Sequence, residues 1–199
     1  LIDYNDNNLI KNESFEINNE NIEIFKLDDD VNKYLNYAEP GYSTYFKYNN
    51  EEFILAPRLT QFGAGADKVV IINLTKRSVI RATLYSITED GLRMGIASTP
   101  KGIYNNKLYG NAFTATQETY DKGEQTRDGS IVYSVTFEDI ANAKDGSNIK
   151  TTIEHQLKND LRNYGYGHAF YQDKYLLCFY FHMYIFDITK SPIQLISKH

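Results

Sequence analysis

The sequence has no tryptophan, one cysteine and two methionines among its 199 residues. The single cysteine, Cys178, excludes an internal disulfide, a zinc site built from several thiolates and a Cys-x-x-Cys redox pair. A lone cysteine is compatible with both oxidising and reducing surroundings, so it leaves the compartment open. A chain of this length can bury a sufficient core without disulfides or metals, and we expect neither a cofactor nor a metal.

Known catalytic motifs and long apolar runs are also missing. No segment reaches the roughly 20 apolar residues of a membrane-spanning helix, so we expect no transmembrane segment. The sequence has no Walker motif, no Gly-x-Ser-x-Gly elbow and no His-Glu-x-x-His pair. Gly63 and Gly65 precede a β pattern, whereas the glycines of a dinucleotide-binding loop open a helix. These absences favour a protein that is not an enzyme.

Positive charge is scarce. The 21 Lys and Arg residues are outnumbered by 26 Asp and Glu residues, which gives a formal net charge of −5 and an isoelectric point near 5.4. Non-specific binding of nucleic acid requires clustered cations. The densest group, Lys76, Arg77 and Arg81, is too small for that role, so we expect no nucleic-acid partner.

Aromatic residues are abundant, with 17 Tyr and 11 Phe. These side chains favour the half-buried surface of a pleated sheet. An AT-rich coding sequence would produce the same composition, since Asn, Lys and Ile are also frequent, and this alternative lowers the weight of the tyrosine count. Together with the pattern of short apolar runs, the composition predicts a β-rich α+β fold.

Turn signals divide the middle of the chain into short β runs. Asn49 and Asn50 stand between two such runs and predict a tight hairpin. The spacing predicts one antiparallel meander from about residue 42 to 137, with a loop-like stretch over 100–110 and a short helix around 138–143. The predicted strands cover residues 42–48, 51–56, 68–74, 78–85, 92–98, 112–119 and 131–137.

One principal helix is predicted at about 150–164, packed on the sheet. Ile149, Ile153, Leu157 and Leu161 recur every four residues, as on the apolar stripe of an amphipathic helix. The following run at 175–186 is apolar or aromatic at almost every position. It predicts a long central strand at about 174–188 that is covered on both faces.

The N-terminal part of the chain differs in composition from the rest. Residues 1–24 are rich in Asn, Asp and Glu and predict a poorly packed leader or tether, followed by a single globular domain over 25–199. The chain begins at Leu1 without Met or a signal-peptide pattern, as a processed form would. We expect a periplasmic, surface-anchored or secreted protein, with an N-terminal lipid or signal-derived tether as one option; a cytoplasmic location stays open.

The apolar run also carries the candidate site. On one strand, Cys178 and His182 would lie about 13 Å apart, too far for a nucleophile–base pair, whereas a Cys178–His168 pair stays open. Packing in the core is the favoured role of this face, and a pocket opened by the His168 loop is the alternative. The candidate pocket residues are His168, Cys178, Tyr180, His182 and Tyr184.

The sequence therefore favours a non-enzymatic protein-interaction module with a protein partner. The expected kind is an extracytoplasmic bacterial protein such as an inhibitor, an immunity protein or a secretion-apparatus component. A hydrolase or transferase with a His/Tyr/Cys pocket near 168–184 is one alternative. A Tyr-lined domain that binds a glycan or another small ligand is the other, although the absence of tryptophan weighs against a carbohydrate platform.

Overall fold

The computed structural model describes residues 43–57, 67–95, 100–122, 129–158, 167–179 and 182–199. Strands hold 62% of these residues and helices 9%. The predicted β-rich fold with antiparallel sheets and few helices is therefore confirmed. In chain order the elements are β1 (Thr44–Tyr48), β2 (Glu51–Pro57), β3 (Lys68–Asn73), β4 (Ser78–Tyr85), β5 (Arg93–Gly95), β6 (Gly102–Tyr104), β7 (Lys107–Ala115), α1 (Gln117–Lys122), β8 (Gly129–Thr136), α2 (Phe137–Ala141), β9 (Ser147–Lys150), β10 (Thr152–Lys158), β11 (Gly167–Tyr171), β12 (Tyr175–Phe179), β13 (Met183–Asp187) and β14 (Gln194–Lys198).

These strands form three sheets. Sheet A has the order β1-β2-β3-β4-β9, and sheet B has the order β10-β8-β7-β5 with β6 paired to β7. Sheet C has the order β11-β12-β13-β14. The strand pairs of sheets B and C are antiparallel, whereas β4 and β9 of sheet A run parallel.

Sheet B lies between the other two sheets. One apolar cluster joins Leu55 and Val69 of sheet A to Ile131 of sheet B. A second cluster joins Val132 of sheet B to Leu176 of sheet C. Because Ile131 and Val132 are neighbours on β8, they point to opposite faces, and both are fully buried. The fold is thus a three-layer stack whose middle layer is covered on both sides.

Tight turns of paired asparagines close two of the hairpins. Asn49 and Asn50 have φ angles of 50° and 63° between β1 and β2, as the predicted hairpin requires. Asn105 and Asn106 have φ angles of 49° and 56° between β6 and β7. The loop-like stretch predicted at 100–110 is therefore wrong, because Asn tolerates the left-handed conformation that such a two-residue turn needs.

The predicted meander is correct for its first four strands only. Strands β1 to β4 follow one another as antiparallel neighbours in sheet A. Ser86 then carries the chain out of sheet A, and β5 pairs with β7 in sheet B. The switch between sheets is not visible in the sequence, since a strand that leaves one sheet keeps the same apolar alternation in the next.

The predicted helix at 150–164 is wrong where the structure describes it, because Thr152–Lys158 form β10. A spacing of four residues is also a multiple of two, so it satisfies a strand as well as a helix. A β-bulge between Ile153 and His155 then changes the face that the strand presents. Ile153 packs in the core between sheets A and B, and Leu157 packs between sheets B and C.

The predicted long strand at 174–188 is replaced by two antiparallel strands, β12 and β13. They are the two inner strands of sheet C, but only one of their faces is buried. Leu176 and Phe186 are fully buried on that face, whereas Phe179 on the other face is 38% exposed. The run lacks Gly, Pro and Asn, so the sequence carries no signal for the chain reversal between 179 and 183.

The short helix predicted at 138–143 corresponds to α2 (Phe137–Ala141), which Thr136 caps by accepting a hydrogen bond from the backbone N–H of Asp139. No helix in the described part of the chain is long and apolar enough to cross a membrane. The predictions for the leader at 1–24 and for the segment around Gly63 and Gly65 lie outside the described residues.

Candidate functional site

Three of the five candidate pocket residues lie in one row across sheet C. His168 of β11 is directly opposite Cys178 of β12, and Cys178 is directly opposite Tyr184 of β13. Residues that are directly opposite in a sheet project from the same face. This row faces sheet B, in the apolar layer that also contains Leu176 and Phe186.

His168 makes a polar contact between the two sheets. Its Nε2 lies 2.5 Å from Oδ1 of Asn111 on β7, which corresponds to an N–H donating to the amide oxygen. Desolvation lowers the pKa of His168 to about 4, and the positive charge of Lys101 contributes in the same direction. The imidazole is therefore neutral at physiological pH and acts as an interlayer hydrogen-bonding group.

The two partners also carry polar atoms that are not satisfied. Nδ1 of His168 and Nδ2 of Asn111 are buried and have no hydrogen-bond partner among the described residues. The geometry is that of a polar pair in which each side chain uses one of its two hydrogen-bonding sites.

Cys178 and Tyr184 are buried beside this pair, with exposed fractions of 0% and 1%. Burial raises the pKa of the Cys178 thiol far above its ordinary value. A raised pKa favours the protonated thiol over the thiolate, and the thiolate is the nucleophilic form. The Cys178–His168 pair that the sequence left open is thus adjacent in space, in surroundings that suit packing.

The remaining two candidate residues are not part of the row. His182 is exposed immediately before β13, and its ring and the Tyr184 ring pack edge to face with their centroids 6.2 Å apart. Tyr180 lies outside the described residues. The structure therefore brings His168, Cys178 and Tyr184 together in a buried layer and places His182 at the surface.

The opposite face of sheet C, here called the outer face, has the composition that core positions usually have. Ala169, Leu177 and Ile185 form its central cross-strand row. Phe179 and Met183 form the row on one side. Large apolar side chains remain accessible in sheet C: Tyr171 is 58% exposed and Phe179 is 38% exposed. The central strand predicted from the sequence leaves no such surface, because both of its faces would be covered.

The outer face carries almost no charge. Its nine positions on β11, β12 and β13 include one charged residue, Asp187, which lies in the last row beside Tyr175. Lys174 lies at the turn before β12 and contacts the Tyr175 ring at 5.0 Å from its centroid. The outer face is therefore an apolar centre with charged groups of both signs at one end.

A second surface feature lies where two chain segments pass from sheet A to sheet B. Ser86 connects β4 to β5 and Thr151 connects β9 to β10, and their hydroxyl oxygens are 3.0 Å apart. The neighbouring Ile87 is 59% exposed. Ile87 lines two hollows. The first, of about 190 Å³, is also lined by Tyr85, Arg93 and Asn148. The second, of about 390 Å³, is also lined by Ser86, Lys150, Thr151, Thr152 and Ile153.

Each hollow is lined by one cationic side chain, Arg93 in the first and Lys150 in the second. The other lining residues include hydroxyl and amide groups. The guanidinium of Arg93 is engaged with the carboxylate of Asp67 at 2.9 Å. In the part of the chain that the structure describes, no three His, Cys, Asp or Glu side chains converge as they would around a metal ion.

No family model, curated protein or solved structure matches this chain.

Proposed function

We propose that this protein is a non-enzymatic protein-interaction module and that its contact surface is the outer face of sheet C. The single observation that carries the proposal is the accessible apolar surface formed by the rows of Leu177 and Phe179. Apolar surface of this kind is costly to leave in water, and each buried Å² contributes about 25 cal/mol to an association.

The charge of the surface defines the chemistry of the partner. Charges on an interface steer an oppositely charged partner and exclude others. The outer face has a single charged strand residue, Asp187, although the whole chain has a net charge of −5. The fitting partner is a folded protein with an apolar, nearly uncharged contact surface, which approaches sheet C as one sheet packs on another.

The proposal is tested by replacing Phe179 with Lys and measuring capture of partners from the source organism by the immobilised protein. Phe179→Lys puts a charge where the partner would bury an apolar ring, so we expect loss of at least nine-tenths of the specifically captured protein. Ile103→Lys is the matched control, since Ile103 is 47% exposed on β6, outside sheet C.

The comparison of the two variants decides the outcome. Circular dichroism and thermal unfolding establish that both variants are folded. A partner that is retained by Ile103→Lys and lost by Phe179→Lys supports the outer face as the contact surface. Equal capture by both variants and the wild type would show that the outer face is not the contact surface.

A glycan-binding function is a second candidate because of the last row of the outer face. Tyr171 and Tyr175 are directly opposite each other, and the row continues through Asp187 to Gln194. Two adjacent aromatic rings beside a carboxylate and an amide offer stacking and hydrogen-bonding groups to a sugar. Binding on a glycan array that Tyr171→Ala abolishes and Tyr45→Ala leaves unchanged would support this function, and a blank array would remove it.

The proposal also covers the cellular location of the protein and the kind of interaction module that it is. The extracytoplasmic location and the inhibitor, immunity-protein or secretion-apparatus class are supported by the polar N-terminal segment and the acidic charge. No observation on the described residues favours the hydrolase or transferase alternative, since Cys178 is a buried, protonated thiol.

A further inference from the structure

The outer face of sheet C is suited to contact with an identical face. In a two-fold symmetric contact the same patch is present on both sides, so it must be complementary to itself. An apolar centre meets this condition because it contains no charges that would repel one another. Leu177, Ile185 and Phe179 occupy that centre, and the only charged strand residue, Asp187, lies in the end row.

We infer that the partner bound by the outer face is a second copy of this chain, an inference that rests on the proposed function. Two copies with a net charge of −5 each repel one another over most of their surfaces. The outer face carries one charged strand residue in each copy, Asp187, so it adds little to this repulsion while its apolar area is buried. Two such faces would form a third kind of interlayer contact, in addition to the contact between sheets A and B and the contact between sheets B and C.

The size of the face determines the strength of the contact. Four strands of five residues span about 17 Å by 19 Å, from the usual strand rise and spacing. This is about 320 Å² in projection, whereas a standard stable interface buries about 800 Å² on each partner. The dimer is therefore weak and depends on protein concentration, with exchange between monomer and dimer.

Sedimentation velocity over a concentration series of the purified chain tests the inference. We expect the wild type to convert from monomer to a discrete dimer as its concentration rises. Phe179→Lys should raise the dimer dissociation constant at least tenfold, and the matched variant Ile103→Lys should change it less than twofold. Phe179→Ser, which removes the ring without adding a charge, serves if Phe179→Lys does not fold.

Ionic strength provides a second readout. Added salt screens the repulsion between two acidic copies and leaves the apolar contact in place, so dimerisation should be unchanged or stronger at high salt. A wild type that stays monomeric up to about 1 mM, or a dimer that Phe179→Lys does not weaken, would overturn the second-copy inference. If the wild type is monomeric while Phe179→Lys still abolishes capture of a different protein, the proposed function survives and the inference fails.

Discussion

The imidazole of His168 and the side-chain amide of Asn111 connect sheet C to sheet B, with Nε2 of His168 2.5 Å from Oδ1 of Asn111. The contact lies in an otherwise apolar layer beside Cys178 and Phe170. A buried polar pair in which each partner keeps one unsatisfied atom contributes little net stability, and it is sensitive to any change that adds a charge. Stability as a function of pH is therefore the first property to measure.

Acidification should destabilise the fold through His168. Its pKa is about 4 in the folded state against 6.5 for the free side chain, so the unfolded chain binds the proton more tightly. Stability is then lost as the pH falls from about 6.5 towards 4, and the expected loss at pH 5 relative to pH 8 is about 2 kcal/mol. Urea unfolding at a series of pH values measures this loss.

A variant without the titrating group provides the control. His168→Phe should lower stability at pH 8 but reduce its dependence on pH between 4 and 6.5. A wild type whose stability is constant over this range would show that His168 titrates normally in the folded state, which would contradict its burial against Asn111 and near Lys101.

The Cys178 thiol should be unreactive in the native protein. It is fully buried, and burial raises its pKa far above the ordinary range. We expect a thiol reagent such as Ellman's reagent to label the unfolded chain completely within minutes and the native chain only at the rate of unfolding. Fast, stoichiometric labelling under native conditions would mean that the layer between sheets B and C opens readily or that a cavity reaches Cys178.

Local signals in the sequence were sufficient for several elements and insufficient for the assembly of sheets. The Asn49-Asn50 turn and the short helix predicted at about 138–143 depend on neighbouring residues alone. Both form, and the helix is α2 (Phe137–Ala141), with a cap at Thr136 that was not predicted. Asn105-Asn106 is the same kind of turn, and applying the same rule there would have predicted the β6–β7 hairpin. The crossing at Ser86 depends on contacts with Thr151, which is distant in sequence.

The candidate site was predictable in part for a similar reason. Cys178 and Tyr184 share a face, but as opposite residues of β12 and β13. Alternation along the single predicted strand also places His182 on that face, whereas His182 is exposed. The position of His168 opposite Cys178 depends on the pairing of β11 with β12, which the sequence does not encode in a local pattern. The exposure of Phe179 depends on which strand face lacks a covering sheet, a property of the whole stack of layers.

Asp67 should be important for stability although it lies outside the proposed contact surface. It is 1% exposed, and its carboxylate accepts hydrogen bonds from Arg93 at 2.9 Å and from the hydroxyl of Tyr120 at 2.5 Å. Asp67→Asn leaves the guanidinium without its counter-charge in a partly buried position. We expect a loss of about 2 kcal/mol, since Arg93 retains some contact with water.

An exposed ion pair on α1 is the matched control for Asp67. Glu118 and Lys122 are paired on the surface of this helix, and such pairs contribute about 0.5 kcal/mol or less. Chemical unfolding of Glu118→Gln should therefore be close to that of the wild type. Equal losses for Glu118→Gln and Asp67→Asn would show that burial does not set the strength of the Asp67 pair.

The hydroxyl pair of Ser86 and Thr151 should hold the two crossings between sheets A and B together. The Thr151 hydroxyl is 3.0 Å from the Ser86 hydroxyl, and both residues are buried. Thr151→Val keeps the shape of the side chain but leaves the Ser86 hydroxyl with only the weakly accepting sulfur of Met94 at 3.6 Å. We expect a loss of about 1–2 kcal/mol in urea unfolding, the cost of a buried polar group without a good partner.

The neighbouring Thr152 distinguishes this effect from the general effect of replacing threonine in a strand. Thr152 is exposed at the start of β10, so Thr152→Val should change stability by less than about 0.5 kcal/mol. The double variant in which Ser86 is also replaced by Ala removes both hydroxyls, and it should recover part of the loss caused by Thr151→Val because no unpaired group remains. If the two losses simply add, the hydroxyls do not stabilise each other, and the crossings are held by apolar packing around Met94 and Ile149.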